Sequence, residues 1–195
     1  MADQLAGNKL WRYTLAASST VLPELIFPVY EVAFQLSHAN VLAVGGFQSS
    51  LEKDILELLI VHGSEPVTIC PARSVSSVKT LYKGKLWQAV KQGMAEGRVT
   101  LESPFPDSVR RATKQTAIIR NTWMVERADA VLILHATPGG ETERMAKLTV
   151  ELGKPLATLD HPANQHLIDL GAYPTSASDP LLGQPNRWGE ALRSS

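Results

Sequence analysis

Two pairs of glycines stand where a short apolar run ends and a helical pattern begins. Gly139 and Gly140 follow "DAVLILHA", and Gly45 and Gly46 follow "NVLAV". Glycine allows a ligand to approach the backbone closely, and the free N–H groups at the start of a helix attract anions. Thr142 adds a hydroxyl just after Gly140. The pattern predicts a phosphate site, although a tight turn before a capped helix has the same composition.

Two loops rich in small residues add to this pattern. Ser49 offers a hydroxyl within "GGFQSS", and "AASST" at residues 16–20 also follows an apolar run. The first of these loops lacks the third glycine of a dinucleotide fingerprint, and Lys53 is not spaced as in a Walker A loop. Three such loops at one edge of a sheet indicate a ligand site more strongly than any single loop.

The densest positive charge lies in "RRATKQTAIIRN", at residues 110–121. Arg110, Arg111 and Lys114 are candidate contacts to a DNA backbone, and a solvated helix face is the simpler explanation of them. Arg120 and Asn121 lie closer to the next apolar run and could face the glycine loops. An arginine side chain presents a fork of donors that suits a phosphate group.

Other kinds of chemistry find less support in the sequence. No group of His, Cys, Asp and Glu has the spacing of a metal site, so we expect no metal, and no pattern indicates a bound cofactor. A nucleophile elbow is absent, and Cys70 among apolar neighbours is expected to be a buried thiol. His135 and His161 end apolar runs and could share one edge. No catalytic residue is assigned, and a binding protein is expected rather than an enzyme.

The composition constrains partners and location. The 195 residues carry 19 basic and 19 acidic side chains, so no overall field attracts nucleic acid, and any anion site must be local. The start of the chain does not resemble a signal peptide, and no apolar run approaches the ~20 residues that a membrane span needs. These observations predict a cytoplasmic protein with no membrane partner.

Apolar runs and helical patterns alternate about six times along the chain. Several runs are apolar on both faces, as parallel strands covered by helices are. The prediction is an α/β, Rossmann-like, doubly wound and mainly parallel sheet of about six strands with helices on both faces. The predicted strands are residues 10–18, 40–47, 66–72, 98–104, 129–136 and 154–161. The predicted helices are residues 21–39, 49–64, the second half of 77–97, 107–128 and 141–153.

The chain divides into two predicted parts. Residues 1–162 form the Rossmann-like domain, and residues 163–195 form a loop-rich tail packed on it. The tail is rich in Pro, Gly, Asn and Ser, with one short helix expected. Leu181, Leu182 and Trp188 are its candidate anchors.

Two stretches resemble a known family. They read "GGFQSSLEKDILELLIVHGSEPVTICPAR" and "RNTWMVERADAVLILHATPGGETERMAKLTVELGKPL". They are similar to the Rossmann-like domain of DNA-processing protein A, the DprA/Smf family, within the DprA/LOG (SLOG) superfamily. The resemblance implies binding of single-stranded DNA, DNA recombination in natural transformation, a RecA-type recombinase as partner, and a homodimer. It places around one anion pocket the residues Gly45, Gly46, Ser49, Arg120, Asn121, Gly139, Gly140 and Thr142.

Two alternative functions remain open at this point. A sensor or binder of a small nucleotide would use the same glycine loops within a closed pocket with a neutral rim. A LOG-like nucleoside-monophosphate phosphoribohydrolase would use Glu141 or Glu143 as the acid, with Arg120 or Arg127 as the phosphate partner. The "PGGxGTxxE" pattern of those enzymes is incomplete in "PGGETERMA".

Overall fold

A computed structural model of the chain describes residues 10–194. The start of the chain, in which we predicted no signal peptide, lies outside these residues apart from its last few positions. The strands are β1 (Trp11–Ala17), β2 (Val41–Gly45), β3 (Val67–Ile69), β4 (Val99–Leu101), β5 (Ala130–His135), β6 (Leu156–Leu159) and β7 (Tyr173–Thr175). The helices are α1 (Pro23–Leu36), α2 (Ser50–His62), α3 (Gly84–Ala95), α4 (Lys114–Arg127), α5 (Glu141–Glu151), α6 (Gln165–Asp169) and α7 (Trp188–Ser194).

All seven strands lie in one parallel sheet of order β4-β3-β2-β1-β5-β6-β7. Strand order reverses between β1 and β5, which pair directly with Leu15 opposite Leu132. Every residue of β5 is buried, as expected for a central strand covered on both faces. A crevice opens at such a reversal beyond the carboxyl ends of the strands, and this is where doubly wound sheets bind ligands.

Each face of the sheet has its own hydrophobic core. One core packs α1, α2, α3 and α7 against alternate strand residues, including Leu15 and Leu132. The other packs α4, α5 and α6 against the intervening residues, such as Val131 and Ile133. The predicted fold class is therefore confirmed, with a sheet that is entirely parallel and one strand larger than expected.

The additional strand, β7, lies in the segment expected to be mainly loop. It pairs with β6, where Thr158 is opposite Pro174. Its short length and its proline suit the edge of a sheet, where few backbone hydrogen bonds are needed. The indole Nε1 of Trp188 donates to the Leu181 carbonyl at 2.8 Å, and the Tyr13 hydroxyl donates to the Leu182 carbonyl at 3.0 Å.

Two predicted helix boundaries differ from the structure. Helix α4 begins at Lys114 rather than 107, because Thr113 caps it by accepting a hydrogen bond from the Thr116 amide. Helix α1 spans Pro23–Leu36 rather than residues 21–39, with Pro23 in its first turn. None of the helices between residues 10 and 194 combines the length and apolar character that a membrane span requires.

Candidate functional site

A cavity of about 300 Å³ lies at the reversal of strand order. The end of β1, the loop after β2, one face of α4 and the first turn of α5 enclose it. Its floor is apolar, and its polar walls come from Ser19, Gln48, Ser49, Glu52, Arg120, Asn121, Glu141 and Thr142. The structure thus brings together four of the eight residues predicted for an anion pocket, namely Ser49, Arg120, Asn121 and Thr142.

Arg120 is the dominant charge in this cavity. Its side chain belongs to α4, and the residue is only 7% exposed. Its Nη1 donates to the Cys70 carbonyl at 3.1 Å, whereas its Nε has no hydrogen-bond partner in the described part of the chain. Within residues 10–194, no carboxylate oxygen lies within 4.0 Å of the guanidinium. Burial lowers the pKa of Arg120, and the Glu52 carboxylate acts to raise it.

A buried guanidinium without an ion-pair partner is costly for a folded protein. Arginine nevertheless stays protonated in proteins, because its pKa in water is so high. An anion entering the cavity would neutralise this charge. The geometry therefore gives Arg120 the properties of an anion-binding side chain.

Gly45 ends β2 and Gly46 follows it, and the side chains of Phe47 and Arg120 occupy the space beside them. A Cβ on Gly46 would overlap Nη1 of Arg120, and a Cβ on Gly45 would lie 2.7 Å from the Phe47 ring. Phe47 is buried and has a φ of 46°, a left-handed conformation that is uncommon for a bulky residue. Neither glycine lines the cavity, so the approach of a ligand to their backbone is not the role that the structure gives them.

The glycines before α5 shape the start of that helix. Gly139 has a φ of 74°, which favours glycine, and Gly140 is the residue that precedes the first turn. The Ser18 hydroxyl accepts from the Thr137 amide at 2.8 Å and fixes this loop to the end of β1. Among the described residues, none accepts a hydrogen bond from the backbone amides of 141–143. Free amides at a helix start attract anions, and Thr142 beside them is nearly buried and lines the cavity.

Glu141 is bound by neighbouring side chains at the cavity wall. It accepts hydrogen bonds from Asn121 Nδ2 at 3.3 Å and from Arg144 Nη2 at 2.7 Å. Burial acts to raise the pKa of Glu141, but the hydrogen bonds from Arg144 and Asn121 outweigh it and hold the pKa below its usual range. The carboxylate is therefore ionised at neutral pH, and Arg144 partly neutralises it. The sequence analysis did not identify Arg144.

Glu52 and Gln48 are further wall residues that the sequence analysis missed. Glu52 accepts from the backbone amides of Gln48 and Ser49 at 3.0 and 3.1 Å, and Ser49 Oγ accepts from the Glu52 amide. The spacing Ser-x-x-Glu before an apolar helix was the available signal for this capping box. Gln48 Nε2 is buried without a partner and offers another donor beside Arg120.

The remaining candidates lie outside the cavity. Arg110 and Arg111 are exposed in the loop before α4, and Lys114 is exposed in its first turn. Arg120 lies six positions after Lys114, which places the two side chains about 120° apart around the helix axis. The structure thus leaves these three basic residues on the surface while Arg120 faces inward.

His135 and His161 have structural partners, and Cys70 is a buried free cysteine. His135 Nδ1 lies 2.9 Å from Asn164 Oδ1, and His161 Nδ1 accepts from the Ala163 amide. Burial raises the pKa of the Cys70 thiol to about 12, so it is not a nucleophile at neutral pH. In the part of the chain that the structure covers, no three His, Cys, Asp or Glu residues are grouped as metal ligands.

Comparison by sequence finds no matching family model and no matching curated protein. Comparison by structure finds clear similarity. DNA processing protein A of Helicobacter pylori, described for its single-stranded DNA binding mode, is 14% identical, with a TM-score of 0.65 over 94% of this chain and 81% of that chain. DprA of Streptococcus pneumoniae is 13% identical, with a TM-score of 0.70 over 90% and 62% respectively.

A second kind of protein shares the architecture. The molybdenum cofactor binding protein of Rippkaea orientalis is 12% identical, with a TM-score of 0.59 over 96% of this chain and 98% of that one. The TM-scores establish that the folds are similar. At identities of 12–14%, the ligand of this chain has to be inferred from its own site. The resemblance seen in the sequence is confirmed at this level, and the chain has the Rossmann-like fold of the DprA structures.

Proposed function

We propose that the chain binds the phosphate of a nucleotide in the cavity at the reversal of strand order, and that its ligand is single-stranded DNA. The observation that carries this proposal is Arg120, a buried guanidinium with a free Nε–H and no carboxylate within 4.0 Å among residues 10–194. A phosphate oxygen is a strong acceptor for such a donor.

The surrounding donors support a phosphate in particular. A phosphate group presents several oxygens, and the cavity offers the Thr142 hydroxyl, the Gln48 amide and the first backbone amides of α5. Donors from three different elements converge on one space, which suits a tetrahedral anion better than a planar carboxylate. The helix dipole of α5 adds to this attraction.

Two observations favour a strand of DNA as the carrier of that phosphate. The fold is that of DprA structures, one of which is described for its single-stranded DNA binding mode. Three exposed basic residues lie near the start of α4, the helix that carries Arg120. Arg110 and Arg111 are in the loop before it and Lys114 is in its first turn, and all three could contact neighbouring phosphates. The sequence resemblance adds a homodimer and a RecA-type recombinase as partner to this proposal, which also includes a cytoplasmic location.

A free mononucleotide is the second candidate. The cavity of about 300 Å³ is enclosed on several sides, and its wall includes the carboxylates of Glu52 and Glu141. These negative charges oppose a polyanion more than a small ligand with a single phosphate. As a hydrolase the chain would also need a free acid, but Glu141 is bound by Arg144 and Asn121, and Glu143 accepts from the Gly139 amide.

Fluorescence anisotropy with a labelled single strand of ~20 nucleotides tests the proposal. We expect binding that weakens as salt increases, and loss of most of that binding in Arg120→Met. Replacing Arg110 and Arg111 together by alanine should weaken binding moderately and make it less sensitive to salt. Unlabelled adenosine monophosphate serves as a competitor.

Each outcome of this experiment has a clear meaning. Displacement of the strand by low concentrations of the mononucleotide, with no effect of the Arg110 and Arg111 replacements, would favour the second candidate. If neither the strand nor the mononucleotide binds at low salt, or if Arg120→Met binds both as the wild type does, the proposal is wrong.

A further inference from the structure

A wide groove lies between α1 and α2, on the outer side of the helix layer that contains them. Its volume is about 630 Å³. The apolar side chains of Phe34, Leu58 and Val61 line it, and Phe34 is 44% and Val61 56% exposed. The hydroxyl of Tyr30 on α1 donates to Asp54 on α2 at 2.8 Å and ties the two helices together. The groove is thus a preformed apolar surface.

The apolar surface continues beyond the groove along α1. Phe27 is 69% exposed and lies two turns before Phe34 on the same side of the helix, and Ile26 beside it is 38% exposed. Helix α1 has 14 residues, which corresponds to a length of about 21 Å. Single exposed apolar residues are common on proteins, but several of them beside an apolar groove indicate a binding surface.

Carboxylates dominate the charge of the groove. Glu31 projects from α1, and Asp54 and Glu57 project from α2, so carboxylates come from both walls. Among the described residues of the lining, His62 at the end of α2 is the only basic side chain. An apolar floor between two acidic walls is complementary to an apolar stripe flanked by basic residues.

We propose that this groove binds a basic amphipathic helix of a partner protein. The partner helix would place its apolar side chains on Phe34, Leu58 and Val61, and its Lys or Arg side chains beside Glu31, Asp54 and Glu57. Laying the apolar face of a helix into such a groove is a common mode of peptide recognition. The groove and the cavity around Arg120 share no lining residue.

Charge disfavours a second copy of this chain as the occupant. A symmetric dimer through this surface would bring the same patch of both copies together. The acidic walls formed by Glu31, Asp54 and Glu57 would then come close to the acidic walls of the other copy, and like charges at close range oppose association. A partner of opposite charge removes this repulsion and also gains from steering.

The test uses a synthetic 18-residue helical peptide with leucine on one face and lysine on the other, labelled with fluorescein. A matched peptide has glutamate in place of every lysine. The full chain is titrated against each peptide, as wild type, as Val61→Asp and as Glu31→Lys with Glu57→Lys. The matched control is Glu151→Lys with Glu190→Lys, which changes the net charge equally at two exposed positions outside the groove.

We expect the wild type and the control to bind the lysine peptide, and to bind the glutamate peptide much more weakly. The groove double variant should bind the lysine peptide about 10-fold more weakly, as expected when two surface charges are reversed. Val61→Asp, checked for folding by circular dichroism, should also weaken binding. Equal binding of both peptides, no binding, or equal weakening in the control would overturn the proposal. So would light scattering that shows a wild-type dimer which Val61→Asp dissociates.

Discussion

The guanidinium of Arg120 lies in the space that a side chain at Gly46 would fill, because a Cβ built on Gly46 overlaps the Nη1 atom of Arg120. Gly46 directly follows β2, and Arg120 lies on α4, 74 positions later. The two meet behind the wall that Arg120 contributes to the cavity where strand order reverses. The absence of a side chain at position 46 therefore allows a buried positive charge at this site.

Gly46→Ala tests this relationship. The added methyl group must displace the Arg120 guanidinium, so we expect nucleotide binding to weaken by at least ~10-fold, together with a loss of about 1–3 kcal/mol in the free energy of unfolding. Anisotropy titration and urea denaturation measure the two effects. The matched control is Gly189→Ala, where the nearest atom would lie 3.7 Å from the new Cβ. Unchanged binding in Gly46→Ala would show that the position of Arg120 does not matter for the ligand.

Arg120→Met separates function from stability. Replacing an arginine that stabilises the fold would lower the free energy of unfolding. Arg120, however, is buried without a carboxylate partner in the described chain. Apolar replacements of buried charges are often neutral or stabilising. We expect the free energy of unfolding to change by less than about 1 kcal/mol, or to increase, while ligand binding is lost. Met124→Ala, one turn further along α4 in the core, should by contrast lose about 2–5 kcal/mol. A comparably large loss in Arg120→Met would mark Arg120 as a structural residue.

Much of the fold was predictable because it depends on local patterns. The alternation of apolar runs and helical segments predicted a parallel α/β sheet, and the burial of every residue of β5 follows from its uninterrupted apolar run. Strand β7 was missed because it has only three residues and contains a proline, so no periodic pattern distinguishes it from a loop. Its place in the sheet depends on pairing with β6, which is a tertiary contact.

The site was predictable only in part, for a related reason. Composition identified Arg120 and the glycine loops, but the role of Gly46 depends on a side chain that comes from a distant helix. Arg144 was missed because a charged residue within an amphipathic helix is usually solvated, and only the structure shows it bound to Glu141. The Ser49 and Glu52 capping box, in contrast, was visible in the sequence spacing.

Glu141 makes stability depend on pH. Its folded-state pKa is held below the ordinary value of 4.5, so its contribution is fully present above pH 4.5 and is lost as the pH falls through the folded-state pKa. We expect Glu141→Gln to be less stable than the wild type at neutral pH, with a difference that shrinks at about pH 3. Urea denaturation at both pH values measures this. A difference that is the same at both would mean that the ionised carboxylate is not what stabilises the fold.

Lys154 is expected to stabilise the fold at the amino-terminal end of the strands, opposite the end where the cavity lies. Its Nζ donates to the carbonyls of Val125, Glu126 and Ala128, at 3.0, 2.6 and 2.7 Å, where α4 ends. Lys154→Met should lower the free energy of unfolding by about 1–3 kcal/mol, because several acceptors lose a charged donor. Lys85→Met, at an exposed position on α3, should change it by less than about 0.5 kcal/mol. Equal effects of the two replacements would refute this role, and neither should alter nucleotide binding.

The most direct test of the central claim is an NMR titration that follows the Nε–Hε resonance of Arg120. This group has no hydrogen-bond partner among residues 10–194. If a nucleotide phosphate binds in the cavity, a short single-stranded oligonucleotide should shift the resonance strongly and protect its proton from exchange with water. The Arg98 Nε–Hε, which donates to Glu96 far from the cavity, should not change. Binding that shifts other resonances and leaves Arg120 unchanged would place the ligand elsewhere and contradict the account.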